Sequence, residues 1–215
     1  MTKKTFALFS LFIVMAMICL VWMLYPNLPD KIATHWGISG TPDGYSAKTF
    51  GVWILPIMVF CISLLFMFIP KIDPINKDFK NFSSSYYSFS AFLNIFLFYI
   101  FTLMIAWNLG WRFNLGVFMV PALAILWFII AVVIRKADRN FFFGIRTPWT
   151  LSSDLVWQKT HKLGSNLFIV CGIISLLGMF TNLVFWLTVI PVLVAVITTV
   201  IYSYFVFKKY KDSDL

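Results

Sequence analysis

The side chains able to do acid–base, nucleophilic or metal chemistry are few in this 215-residue chain, and their spacing keeps them apart. Two histidines, His35 and His161, stand more than half the chain from one another. Every acid is an aspartate: Asp30, Asp43, Asp73, Asp78, Asp138, Asp154, Asp212 and Asp214. All of them fall outside the apolar runs, so no buried carboxylate is on offer for proton coupling. Cys19, Cys61 and Cys171 lie inside apolar runs and read as small packing residues, not as a disulfide or zinc framework. No H-E-x-x-H, G-x-S-x-G or phosphate-loop pattern occurs, and no lysine lies deep in an apolar run to act as base for a serine. The expectation is a protein with no catalytic residues, no metal and no cofactor, and so not an enzyme.

Composition decides which elements carry these residues. The chain is 61% hydrophobic and only 12% charged, about half the charge a soluble domain keeps, so it must be solvated by lipid. Six apolar runs, near 5–25, 50–69, 87–108, 115–134, 164–182 and 184–207, are each long enough to cross the hydrocarbon as a helix. Lys3 and Lys4 precede the first run as in a signal peptide, but no A-x-A-like cleavage site follows, and the run reads as a retained helix. The fifth and sixth runs are separated only by Thr181-Asn182, which makes four or five spans the competing count. The expected fold is all-α and polytopic, with six transmembrane helices in three hairpins. Its expected parts are an N-terminal hairpin (1–80) with a structured outer loop (26–49), a middle hairpin (81–134) and a C-terminal module (135–215) opening on an interfacial loop and helix (135–163).

Seventeen Lys and Arg against eight acids give a net charge of +9, but the basic residues do not form a stripe, and no nucleic acid is expected as partner. Fourteen of them fall in one set of alternate connections; only Lys31, Lys48 and Arg112 fall in the other. The positive-inside rule then puts both termini in the cytoplasm, with contact to anionic membrane lipid as a further use of the charge. His35 and His161 lie on opposite faces in this topology and cannot share a metal.

The longest external segment is punctuated by Gly37, Gly40, Pro42 and Gly44, and Thr41-Pro42-Asp43-Gly44 suits a β-turn. One reading makes His35, Trp36, Asp43, Tyr45 and Lys48 a surface that meets an external ligand. The other folds the loop over the helix ends, with the aromatics at headgroup level. Pro56, Pro121 and Pro191 stand about two turns into the three spans that return from outside, in the outer leaflet, where helix bends would open an external vestibule. Asn94 and Asn108 lie close to one face of the third span, where they either line a polar path or, the preferred reading, bond neighbouring helices.

On the inner side, Thr147 before Pro148 suits an N-cap, Ser152 or Ser153 before Asp154 offers a second, and a short helix is expected to end near Gly164. Arg146 is the residue to single out, since its guanidinium can hold backbone carbonyls, Asp154 or a lipid phosphate. Trp149 and Trp157 should lie along the interface.

Two stretches carry a family resemblance. Leu28-Pro29, Ile32-Ala33-Thr34-His35-Trp36, Gly40, Pro42-Asp43-Gly44 and Lys48, followed by a helix with Pro56, resemble the N-terminal module of SdpI-like bacterial immunity proteins. Asn140, Phe143-Gly144-Ile145-Arg146-Thr147-Pro148-Trp149-Thr150, Trp157, Thr160-His161 and Gly164 resemble that family's C-terminal signature. The resemblance implies a multi-pass protein of the bacterial plasma membrane that protects its producer against a secreted, membrane-active antimicrobial peptide toxin. It also implies a signalling role through a cytoplasmic transcriptional regulator. A small transporter or channel is the alternative, and a structural partner subunit a third reading.

Overall fold

The structure is a computed structural model and describes residues 1–72 and 79–211. Asp73, Asp78, Lys77, Asp212 and Asp214 therefore lie outside the described residues, as does the side chain of Lys80. In chain order the elements are α1 (Lys3–Leu24), a 3-10 turn (Tyr25–Asn27), β1 (Lys31–Trp36), β2 (Pro42–Ala47), α2 (Lys48–Gly51) and α3 (Ile54–Ile72). They are followed by α4 (Phe79–Asn108), α5 (Leu115–Lys136), α6 (Pro148–Ser152), α7 (Asp154–Gly178) and α8 (Val184–Lys211). Six helical segments, Lys3–Asn27, Lys48–Ile72, Phe82–Asn108, Leu115–Lys136, Asp154–Gly178 and Val184–Tyr210, are long and apolar enough to cross a membrane. The thin break at Thr181-Asn182 is a real turn, because α7 stops at Gly178 and α8 starts at Val184.

Contacts divide the chain into two units, Met1–Phe68 with Tyr87–Ala122, and Ile69–Tyr86 with Leu123–Leu215. The first has a core of Phe6, Met17, Val21, Val59 and Phe101, with the Phe6 and Tyr87 rings 5.6 Å apart. Asn94 is fully buried there, and its Nδ2 donates to Ser10 Oγ and Ser63 Oγ, both at 2.9 Å. This ties α1, α3 and α4 by hydrogen bonds, the use that polar residues commonly find between membrane helices.

In the second unit α7 and α8 form a hairpin, and the glycines of α7 meet the 135–153 loop, α5 and α8 closely. A Cβ on Gly164 would come within 2.5 Å of Ile145, one on Gly172 within 2.5 Å of the Phe128 ring, and one on Gly178 within 3.0 Å of Leu187. Small side chains let membrane helices approach where dispersion and not water-driven burial must hold them. Leu193, Val194, Ile197 and Ile201 of α8 are exposed, as a lipid-facing side requires.

Four expectations are corrected. The outer loop contains a two-stranded antiparallel sheet, β1–β2, whose short strands are a minor addition to an otherwise helical chain. Its turn is Gly37–Gly40, closed by Gly40 N–H on Gly37 O at 2.9 Å, whereas Pro42, Asp43 and Gly44 are in β2. Gly40 takes φ +75°, a conformation glycine adopts without penalty. The helix expected to end near Gly164 instead runs on as α7 from Asp154 to Gly178, and Gly164 is buried within it where packing leaves no room for a side chain. Cys19 and Cys61 are exposed on their helices, and only Cys171 is buried.

Candidate functional site

The hairpin of the first unit is anchored on one side and open on the other. Ile32 and Ala33 are buried, whereas His35, Asp43 and Tyr45 are exposed. Asn108, last residue of α4, holds β1 like a neighbouring strand: Ala33 N–H donates to its Oδ1 at 2.8 Å, and its Nδ2 donates to Ala33 O at 3.1 Å. Asn114 performs a related task before α5, donating from Nδ2 to Ser39 O at 3.1 Å and accepting from Val117 N–H at 3.2 Å. Gly40 packs against Asn114 so closely that a Cβ there would overlap its amide. The loop is therefore held by two asparagines in addition to its own ladder.

On the open side His35 Nδ1 lies 2.5 Å from Asp43 Oδ1, with side chains 74% and 53% exposed. A carboxylate only accepts, so Nδ1 carries the proton. Gly44 makes this pairing fit, because a Cβ there would come 2.9 Å from His35 Cβ. Tyr45 stands 60% exposed on the neighbouring strand. The other two residues expected on this surface are used differently. Lys48 donates to Leu28 O at 2.7 Å and lies 4.4 Å over the Tyr25 ring, and Trp36 is half-buried with its indole Nε1 buried and without a partner among the described residues. Beside Tyr25, a hollow of about 260 Å³ is lined by Val21, Trp22, Tyr25, Thr49 and Trp53.

The 135–163 segment of the second unit is a knot tied by side chain to backbone bonds. Asn140 is buried and uses its whole amide: Nδ2 donates to Asp138 O and Phe143 O, and Oδ1 accepts from Phe142 N–H and Phe143 N–H. Gly144 then takes φ +107°, under His161, where a Cβ would strike the imidazole. Ile145 N–H donates to His161 Nε2 at 2.9 Å, and His161 Nδ1 donates to Trp157 O at 2.8 Å, which fixes the neutral tautomer protonated on Nδ1. Trp157 stacks on His161 at 4.0 Å and donates from its indole to Ala137 O at 2.7 Å. Thr147 caps α6 in a reciprocal box with Thr150, Pro148 stands at the first helical position, and Thr147 Oγ1 lies 3.1 Å from Ser203 Oγ of α8. Trp149 meets Tyr204 edge-on at 5.2 Å.

Arg146 donates to Phe141 O at 2.6 Å and is otherwise exposed, so it holds a backbone carbonyl. Asp154 goes to Arg139 instead, whose Nε is 2.7 Å from Asp154 Oδ1 and whose Nη1 donates to Leu151 O at 2.6 Å. The sequence reading counted Arg139 only as charge. No local spacing pairs it with Asp154; the fold of the segment brings its fork to both the Leu151 carbonyl and that first-turn acid.

Pro56 is the third residue of α3, within its first turn and not two turns in. The helix is interrupted at Val52-Trp53, where a regular helix would have set the Pro56 ring against the Val52 carbonyl. Pro121 and Pro191 lie inside the continuous α5 and α8. Pro56 and Pro121 belong to the first unit and Pro191 to the second. Among the described residues no group of three or more His, Cys or Asp is placed to hold a metal ion.

The family model described as the SdpI/YfhL protein family matches residues 136–203, which cover the knot and the α7–α8 hairpin. A second, described as a domain of unknown function (DUF1648), matches residues 11–60, which cover the β-hairpin and its flanking helices. The chain is 27% identical over 194 residues to a protein named Immunity protein SdpI from Bacillus subtilis (strain 168), across 89% of this chain and 90% of that protein. No solved structure matches. Six helices able to span a bilayer, together with that end-to-end similarity, make the chain a multi-pass protein of the plasma membrane.

Proposed function

We propose that the molecule is an immunity protein that shields its own cell from a secreted, membrane-active peptide toxin. The observation that carries this reading is the similarity to Immunity protein SdpI, which runs through nine-tenths of both chains and so includes both the hairpin and the knot. The hairpin is the receiving surface. It projects His35, Asp43 and Tyr45 from a scaffold fixed by Asn108 and Asn114, which spares a peptide the cost of ordering the loop. The charge asymmetry of the connections supports a reading with the hairpin outside and the knot in the cytoplasm.

The knot is the inner counterpart. Arg135, Lys136, Arg146 and Lys162 are exposed around a loop whose backbone is locked by Asn140 and His161, and they offer a firm basic surface to a cytoplasmic regulator or to anionic lipid. Single alanine substitutions at His35, Asp43 and Tyr45, expressed in toxin-sensitive cells, test the outer part of this reading. Each is expected to reduce protection while membrane abundance stays at the wild-type level. Full protection by all three would remove the hairpin from the mechanism.

A further inference from the structure

The two edges of the β1–β2 hairpin are finished differently. Lys48 N–H donates to Asp30 O at 2.8 Å, which makes residues 30 and 48 a hydrogen-bonded pair. The register pairs Lys31 with Ala47, Ile32 with Ser46 and Ala33 with Tyr45. Bonded and non-bonded pairs alternate in an antiparallel ladder, so the main-chain groups of Ala33 and Tyr45 point away from each other, toward opposite edges. On the β1 edge the Ala33 N–H and C=O are both taken by the Asn108 amide, which stands in for a strand. On the β2 edge the corresponding Tyr45 N–H and C=O, and the outward Ala47 N–H, have no partner among the described residues.

An edge with free N–H and C=O groups is a template for another strand, and it is ordinarily blunted by charged side chains, proline, bulges or a covering element. In this hairpin those devices stand toward the turn, with Pro42 at the first residue of β2, Asp43 beside it and the register shifts between Ala33 and Trp36 of β1, and none of them removes the outward donors at Tyr45 and Ala47. The alternating exposure of β2 leaves the Asp43, Tyr45 and Ala47 side chains accessible beside that edge.

We propose that the free edge of β2 is a strand acceptor: the peptide toxin docks in extended form as a third strand, its main chain bonding Tyr45 N–H, Tyr45 C=O and Ala47 N–H. The proposal rests on the immunity reading above and adds the mode of recognition. Sequence specificity is then low along the backbone and comes from side chains that meet Asp43 and Tyr45. A second copy of the chain is the competing occupant. A six-residue edge buries far less than the ~1,000 Å² that a stable interface between two folded chains requires. A peptide already partitioned into the same membrane surface, by contrast, is presented at high local concentration.

The test uses the full chain in nanodiscs, labelled with ¹⁵N at tyrosine and alanine, and, as probe, the peptide toxin against which the similar Immunity protein SdpI confers immunity. Amide exchange is followed at Tyr45, Ala47 and Ala33 while peptide binding is read by co-elution. Tyr45 and Ala47 are expected to exchange freely without peptide and at least about tenfold more slowly with it, and Ala33 to stay protected throughout. Binding of the peptide with Tyr45 and Ala47 unchanged would overturn the strand-acceptor proposal and leave the immunity reading standing. Absence of any binding would overturn both. Protection of Tyr45 before peptide is added, lost at one copy per nanodisc, would assign the edge to self-pairing and overturn the proposal. Ala47→Pro removes an outward N–H at a φ of −58° that proline adopts, without breaking a β1–β2 bond, and Ala47→Ser keeps it. With hairpin integrity verified by Ala33 protection, Ala47→Pro should bind the peptide about three- to tenfold more weakly than Ala47→Ser, the worth of one hydrogen bond. Equal binding by the two would also overturn the proposal.

Discussion

Gly144 and Gly110 share a left-handed backbone, at φ +107° and +104°, but only Gly144 faces a neighbour that a side chain would strike. Gly110→Ala should therefore carry the conformational cost alone, about 1–3 kcal/mol, whereas Gly144→Ala adds displacement of His161 and loss of its bond to Ile145. Thermal unfolding of the two variants in one detergent checks this, and an equal drop in Tm would mean that His161 yields without cost. Arg146 and Arg139 form a second contrast. Arg146→Lys should keep near-wild-type abundance and stability, because its single bond to Phe141 O lies at an exposed site. Arg139→Lys forfeits a fork that joins the end of α6 to Asp154 in the first turn of α7 and should be the less stable of the two. The residue types were legible in the sequence: the run from Gly144 to Thr150 stood out, and Thr147-Pro148 read correctly as a helix start. Which arginine meets Asp154 was not legible, because that choice is made by the fold of the 135–153 segment and not by spacing.

At the scale of the element, the hairpin depends on residues far from it in sequence. Asn108 sits at the end of α4, yet its amide completes the β1 edge, so Asn108→Ala should free Ala33 N–H and C=O and destabilise the hairpin by about 1–3 kcal/mol. Faster exchange of the Ala33 amide with little change in the amides of α1 is the expected signature, and unchanged exchange would show that Asn108 is dispensable. The apolar runs exposed the spans because lipid imposes a length and a composition on each. Strands as short as β1 and β2 impose neither, and the alternation of β2 is diluted by Gly44. Gly164 misled for a physical reason. A glycine near a helix end and a glycine at a close helix contact look alike in sequence, and only the proximity of Ile145, Ile134 and Thr199 separates them.

For the whole molecule, six spans and a fourteen-to-three division of basic residues predict that the hairpin and the knot face opposite sides of the membrane. In a chain whose Cys19, Cys61 and Cys171 are replaced, Ser39→Cys should react with a membrane-impermeant maleimide in intact cells, and Ser152→Cys only after permeabilisation. The opposite pattern would invert the topology. The central claim, that this chain protects a cell from a membrane-active peptide, is tested most directly by membrane potential. Toxin-sensitive bacteria with and without the protein are exposed to a membrane-active peptide toxin while a potential-sensitive dye is followed. Cells that carry the protein are predicted to hold their potential as control cells lose it. Equal depolarisation in both, with the protein verified in the membrane, would contradict the account.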